Sequence, residues 1–105
     1  MKVGIILSNT DPELVWNSLR FANTALLGGH EVKMFLLGQG VEIEGIKSEK
    51  FNVQEQLQKF NQLSGHMIAC GTCIKSRQMQ FDVCPISTMK DMLKLVEESD
   101  KVLTF

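Results

Sequence analysis

Cys70 and Cys73, in the run Ala69-Cys-Gly-Thr-Cys-Ile-Lys-Ser-Arg77, are the residues whose type and spacing lend themselves most directly to chemistry. A thiolate is a nucleophile, and Cys-x-x-Cys spacing sets the second thiol one helical turn from the first, within disulfide reach. Cys70 closes His66-Met-Ile-Ala-Cys70, which reads as a short strand, and Gly71-Thr72 opens a brief helical stretch carrying Cys73, Lys75 and Arg77. At such a joint, unpaired backbone N–H groups and the positive end of the helix dipole favour an anion. An ordinary thiol with pKa about 8.5 is only a few per cent ionised at neutral pH, and lowering that value by ~1.5, worth about 2 kcal/mol, makes it half ionised. Gly71 and Thr72 contribute backbone N–H groups, and Gly71 also leaves room for close approach to a reacting sulfur. Lys75 and Arg77 add positive charge if they face the same rim. These four are the candidate binding residues around the catalytic candidates Cys70 and Cys73.

Three chemistries compete for the pair. As a redox dithiol it cycles between thiols and a disulfide; with Cys73 as a resolving thiol, a sulfur or mixed disulfide formed on Cys70 is released; as packing residues the two are inert. A structural zinc site would recruit Cys70, Cys73, Cys84 and His66. His66 and Cys70, however, bracket one extended strand and lie some 13 Å apart at ~3.3 Å per residue, so no metal is expected. His30 and His66 both fall at the amino-terminal edge of their strands, away from Cys70, and a Cys-His nucleophile pair is not supported. Ser8-Asn9-Thr10-Asp11, after the first strand, lacks glycine and sets a carboxylate where a mononucleotide phosphate would sit.

The elements that must position these residues follow from the apolar pattern. Lys2-Val-Gly-Ile-Ile-Leu7 and Glu31-Val-Lys-Met-Phe-Leu-Leu37 are nearly continuous apolar runs, as in strands buried on both faces. Between them, Thr10-Asp-Pro-Glu13 offers a capping box with Thr10 as cap. Val15, Leu19, Ala22 and Leu26 form one stripe, and Gly28-Gly29 stops a helix running from about 12 to 28. Residues 41–50 are charged and aperiodic and read as a mobile surface loop. Asn52 and Glu55 cap a second helix with Val53, Leu57 and Phe60 on one face, ending at Gly65. Gln80-Phe-Asp-Val-Cys84 reads as a fourth strand ended by Pro85. Ser87 then caps a helix bearing Met89, Met92, Leu93 and Val96, and Lys101-Val-Leu-Thr-Phe105 is a final strand. This alternation predicts a single three-layer α/β domain over residues 1–105, with a mainly parallel sheet of about five strands. Reactive groups in such sheets gather at the carboxyl ends of the strands, here Ser8-Asn9-Thr10, Gly38-Gln39-Gly40, Cys70-Gly71 and Cys84.

Composition narrows the partners. Eleven basic against twelve acidic residues give a net charge of −1, which leaves no basic excess for a nucleic acid backbone. The longest apolar stretches, Val3 to Leu7 and Met34 to Leu37, fall far short of the ~18 residues that span a bilayer. Lys2 followed by five apolar residues is also shorter than the roughly 7–15 residues of a signal-peptide core, so a cytoplasmic location is expected. Three cysteines, an odd number, then read as free thiols.

Taken with these residues, the sequence resembles the DsrE/DsrF-like family of small sulfur-relay-type α/β proteins. The resemblance runs through Lys2-Val-Gly-Ile-Ile-Leu7, Leu36-Leu-Gly-Gln-Gly-Val41, Ala69-Cys-Gly-Thr-Cys-Ile-Lys-Ser-Arg77 and Ser99-Asp-Lys-Val-Leu-Thr-Phe105. In relay members a cysteine at the end of the third strand accepts sulfane sulfur as a persulfide, and Cys70 falls on that position. The resemblance implies a flavodoxin-like layered fold and a sulfurtransferase-type carrier that needs no cofactor, has sulfur donor and acceptor proteins as partners, and assembles into dimers, trimers or hexamers. Cys73 is absent from several relay subunits, and Cys84 matches no family motif. The rival expectations are a dithiol–disulfide oxidoreductase or sulfur reductase using Cys70 and Cys73, and a non-catalytic oligomeric subunit.

Overall fold

A computed structural model describes residues 1–77 and 86–105. Five strands, β1 (Lys2–Leu7), β2 (Glu31–Leu36), β3 (His66–Cys70), β4 (Ile86–Ser87) and β5 (Lys101–Thr104), pair in the order β4-β3-β2-β1-β5. All four pairings are parallel, with Leu36 opposite Ala69 and Cys70 opposite Ser87. The sequence-based strand over 80–84, and with it Cys84, lies outside the described residues. Parallel neighbours require crossovers, and these are α1 (Pro12–Leu27), α2 (Val53–Gln62), the short α3 (Gly71–Ser76) and α4 (Met89–Glu98). The flavodoxin order is 2-1-3-4-5; here the edge slot beside β1 is filled by the last strand of the chain.

The sheet separates two apolar layers. On one face Val3, Ile5 and Leu7 of β1, Val32, Met34 and Leu36 of β2, and Met67 and Ala69 of β3 pack with Val15, Leu19 and Ala22 of α1 and with Val53, Leu57 and Phe60 of α2. On the other, Phe35, Ile68 and Cys70 meet Leu95 and Met92 of α4. Each strand therefore serves both faces at alternate residues, which is why its sequence reads as an unbroken apolar run. Gly4 belongs to the second face: a Cβ there would lie 2.6 Å from Leu95 Cδ2 and 2.5 Å from Ser99 Oγ, so the missing side chain lets α4 close on β1.

Residues 41–46 correct the expectation of a mobile charged loop over 41–50, while 47–50 form the mostly exposed loop expected. Gly38–Gly45 form a 3-10 helix, and Val41 and Ile43 are wholly buried in the α1/α2 layer. Gly40, Ile43 and Ile46 recur every third residue, the period of a 3-10 face, which the charged residues between them mask. The side-chain amide of Gln54 donates to the carbonyls of Ile43, Glu44 and Ile46, holding the end of this helix to α2. Two cap assignments also move by one residue. Asp11, not Thr10, accepts the N–H of Leu14 and makes Pro12 the first helical residue, while the Thr10 hydroxyl donates to Gln39. At α4 the cap is Thr88 rather than Ser87, which instead ends β4. Asn52 caps α2 as expected, accepting the N–H of Glu55.

Candidate functional site

Three strand ends meet at the carboxyl edge: Ser8 to Thr10 after β1, the 3-10 helix after β2, and α3 after β3. The chain leaves β3 toward the α1/α2 layer, where Ile74 of α3 is buried, and leaves β4 toward the opposite layer, where α4 lies. The carboxyl ends of β3 and β4 thus flank a point at which successive connections diverge, the position where parallel α/β sheets bind ligands. Cys70 is the last residue of β3 at that point.

Both cysteines are free thiols, but they differ in access. Cys70 is 3% exposed and packs with Phe35 and Leu95, whereas Cys73 is partly exposed and touches both apolar layers. The two side chains share one apolar cluster at the end of β3. Cys73 Sγ also accepts the backbone N–H of Gly38 at 3.2 Å, a contact spanning 35 residues of sequence. Gly38 reaches it in a left-handed conformation, φ +55°, that glycine adopts without strain. Burial foremost, then the hydrogen bond and charge of Cys70, push the Cys73 thiol above its ordinary range; the Gly38 N–H and the Arg77 charge pull the other way.

The predicted binding residues occupy different positions around this pair. Arg77 caps α3, donating from Nε to Glu42 at 3.0 Å and from a terminal nitrogen to the Cys73 carbonyl at 3.2 Å. Its first role is thus to tie the 3-10 helix to α3, with the sulfur reached through space. Lys75 and Thr72 are exposed on α3. At Gly71 a Cβ would meet Ile86 Cγ2 at 2.8 Å and the Ser87 carbonyl oxygen at 3.1 Å, so the close approach this glycine permits is that of β4. Thr10, Glu42, Gly45, Ile46 and Arg77 line a shallow depression of about 610 Å³ on the same edge. His30 and His66 line a separate cleft of about 520 Å³ together with Lys2 and Lys33, at the amino-terminal edge of the sheet. Among the described residues no three His, Cys, Asp or Glu side chains gather as metal ligands, and no helix is long and apolar enough to cross a membrane.

The sequence places Gly38 on the reactive rim but gives no sign that its N–H meets Cys73, nor that Glu42 pairs with Arg77. Gly38-Gln39-Gly40 reads as a strand stop, and only the fold brings its first N–H to a sulfur on the neighbouring strand's exit. At Gly40 a Cβ would collide with the Leu7 carbonyl, so the 3-10 helix can seat against the end of β1 only with glycine at this position.

A five-stranded, wholly parallel α/β domain with two neighbouring thiols at the exit of β3 defines a class of small cysteine-bearing α/β proteins. The chain belongs to the DsrE/DsrF-like family, whose sequence model matches residues 1–105. An uncharacterized protein of Methanocaldococcus jannaschii is 37% identical, with the whole of both chains covered. Another, from Methanopyrus kandleri, is 35% identical over 89% of this chain and 83% of its own. Among solved structures, a conserved protein of unknown function from Bacteroides thetaiotaomicron superposes with a TM-score of 0.80, covering 99% of this chain and 94% of its own. At 16% identity that likeness speaks to the fold alone.

Proposed function

We propose that this protein is an intracellular sulfur-relay carrier that holds sulfane sulfur as a persulfide on Cys70 and passes it to the thiol of a partner protein. The placement of Cys70 at the carboxyl end of β3, buried in one cluster with Cys73, is the observation that carries this reading. Burial of Cys70 shelters the loaded sulfur from stray thiols, with Cys73 one helical turn further along the chain. Transfer is an exchange at sulfur: the acceptor thiolate bonds to the terminal sulfur, the Cys70 S–S bond breaks, and Cys70 leaves as thiolate. The balance closes without a cofactor.

Assembly belongs to the same proposal. Met89, Leu93 and Val96, at helical spacing on α4, are 57%, 60% and 43% exposed, and Val102 and Leu103 of the edge strand β5 are each 36% exposed. An exposed apolar helix row, with β5 an edge of the sheet among the described residues, supports burial against further copies of the chain.

The same thiol pair also favours a second reading, a dithiol–disulfide oxidoreductase. Mapping the reduced protein after anaerobic exposure to glutathione persulfide separates the two. The carrier reading expects fragment ions that place one extra sulfur atom on Cys70. Loss of two hydrogens with no added sulfur, and a reduction potential within about −220 to −320 mV, would make the pair a redox dithiol instead. An unchanged mass would leave an inert α/β subunit.

A further inference from the structure

The two thiols are not equally placed to meet a donor. Cys70 is 3% exposed and packs with Phe35 and Leu95, while Cys73 is partly exposed and packs against the same cluster. A displacement at sulfur needs the attacking thiolate in line with the bond it breaks, and the partly exposed Cys73 meets an incoming S–S bond more readily than the buried Cys70. Cys73 Sγ also accepts the backbone N–H of Gly38 at 3.2 Å, which fixes the direction in which the receiving sulfur points. The carbonyl of Cys73 is held at the same time by Arg77, itself fixed by Glu42, so the receiving sulfur sits on a tethered turn.

We infer that Cys73 is the receiving port of the site: sulfane sulfur arrives on Cys73 and moves inward to Cys70 in a second, intramolecular exchange. This inference rests on the carrier reading above. In the first step Cys73 releases its proton to solvent, and its thiolate bonds to the terminal sulfur of the donor persulfide. The donor S–S bond breaks and the donor leaves as a thiolate. In the second, Cys70 gives up its proton and its thiolate bonds to that same terminal sulfur, the Cys73 S–S bond breaks, and Cys73 leaves as thiolate and takes up a proton in turn. The transferred sulfur keeps its oxidation state throughout, so neither an oxidant nor a reductant is consumed.

The test is a quenched time course of sulfur loading from glutathione persulfide, with each cysteine mapped by fragment ions, in wild type, Cys70→Ser and Cys73→Ser. In wild type the sulfur should appear on Cys73 first and on Cys70 later. Cys73→Ser should load Cys70 at least tenfold more slowly, whereas Cys70→Ser should load Cys73 at no less than the wild-type rate. The wild-type course needs no substitution and decides the order even if a variant folds poorly. Sulfur appearing on Cys70 first in wild type, or Cys73→Ser loading as fast as wild type, would overturn the port while leaving the carrier intact. No sulfur on either cysteine in any protein would overturn the carrier reading and the port with it.

Discussion

Ionisation of Cys73 governs the site at the residue scale. Because burial and Cys70 hold its thiol above the ordinary range, the protonated form belongs to the folded state. The stability this contributes is intact below the ordinary thiol value and is lost as pH rises through the folded one. Alkylation of Cys73 by iodoacetamide should therefore keep accelerating at pH values where a free thiol has levelled off. In Cys70→Ser the curve should move back toward lower pH, because both contributions of Cys70 to the shift are gone; an unchanged curve would mean that the two thiols do not interact. Gly38→Ala places a side chain at φ +55° with open space around it, so the expected loss is that of a left-handed backbone alone, about 1–2 kcal/mol in urea unfolding. The thiol pair itself was legible in the sequence, because Cys-x-x-Cys is a local pattern. Its donor was not, because Gly38 meets Cys73 across 35 residues and only strand order makes them neighbours.

Elements carry the next set of consequences. Ile43 is wholly buried although its segment is charged, so Ile43→Ala should lower the unfolding free energy by about 2–5 kcal/mol, where a surface-loop position would lose almost nothing. Gly71→Ala would drive a methyl group into Ile86 and the Ser87 carbonyl and should cost about 1–3 kcal/mol, with β4 displaced from β3, as hydrogen exchange at Ser87 would report. At the start of α4 the hydroxyls of Ser87 and Thr88 and the N–H of Thr88 all donate to the Asp91 carboxylate. The Ser87 bond foremost, then that N–H, hold its pKa below the ordinary carboxylate range. This contribution is present above the ordinary carboxylate value and is lost as pH falls through the folded one. The melting temperature of wild type should consequently drop more steeply in acid than that of Asp91→Asn, and parallel curves would contradict the cap. Apolar runs and helical stripes made β1, α1, β2, α2 and β3 readable with short margins at their ends. The 3-10 helix escaped because its period of three is carried by only Gly40, Ile43 and Ile46, and each misplaced cap had two neighbouring cap-type residues between which only the backbone decides.

Across the whole molecule, the sheet order sets what the chemistry has to work with. Running β1 to β4 outward in sequence and returning to β5 places α1 and α2 on one face and α4 on the other, which brings Cys70 to the point where the connections diverge. The three-layer plan was legible from the alternation of strands and helices, whereas the order of strands was not, since adjacency in a parallel sheet leaves no local mark. The same plan leaves Leu93 and Val96 on the outer side of α4, and Leu93→Asp should shift the protein toward a smaller assembly in sedimentation without unfolding it. Native mass spectrometry after anaerobic loading with glutathione persulfide tests the account most directly, since it weighs assembly and cargo together. We predict a complex of more than one chain that gains one sulfur atom per chain and returns to its starting mass when an acceptor thiol is added. A complex whose mass is unchanged by the donor, or that only loses hydrogens, would contradict the account.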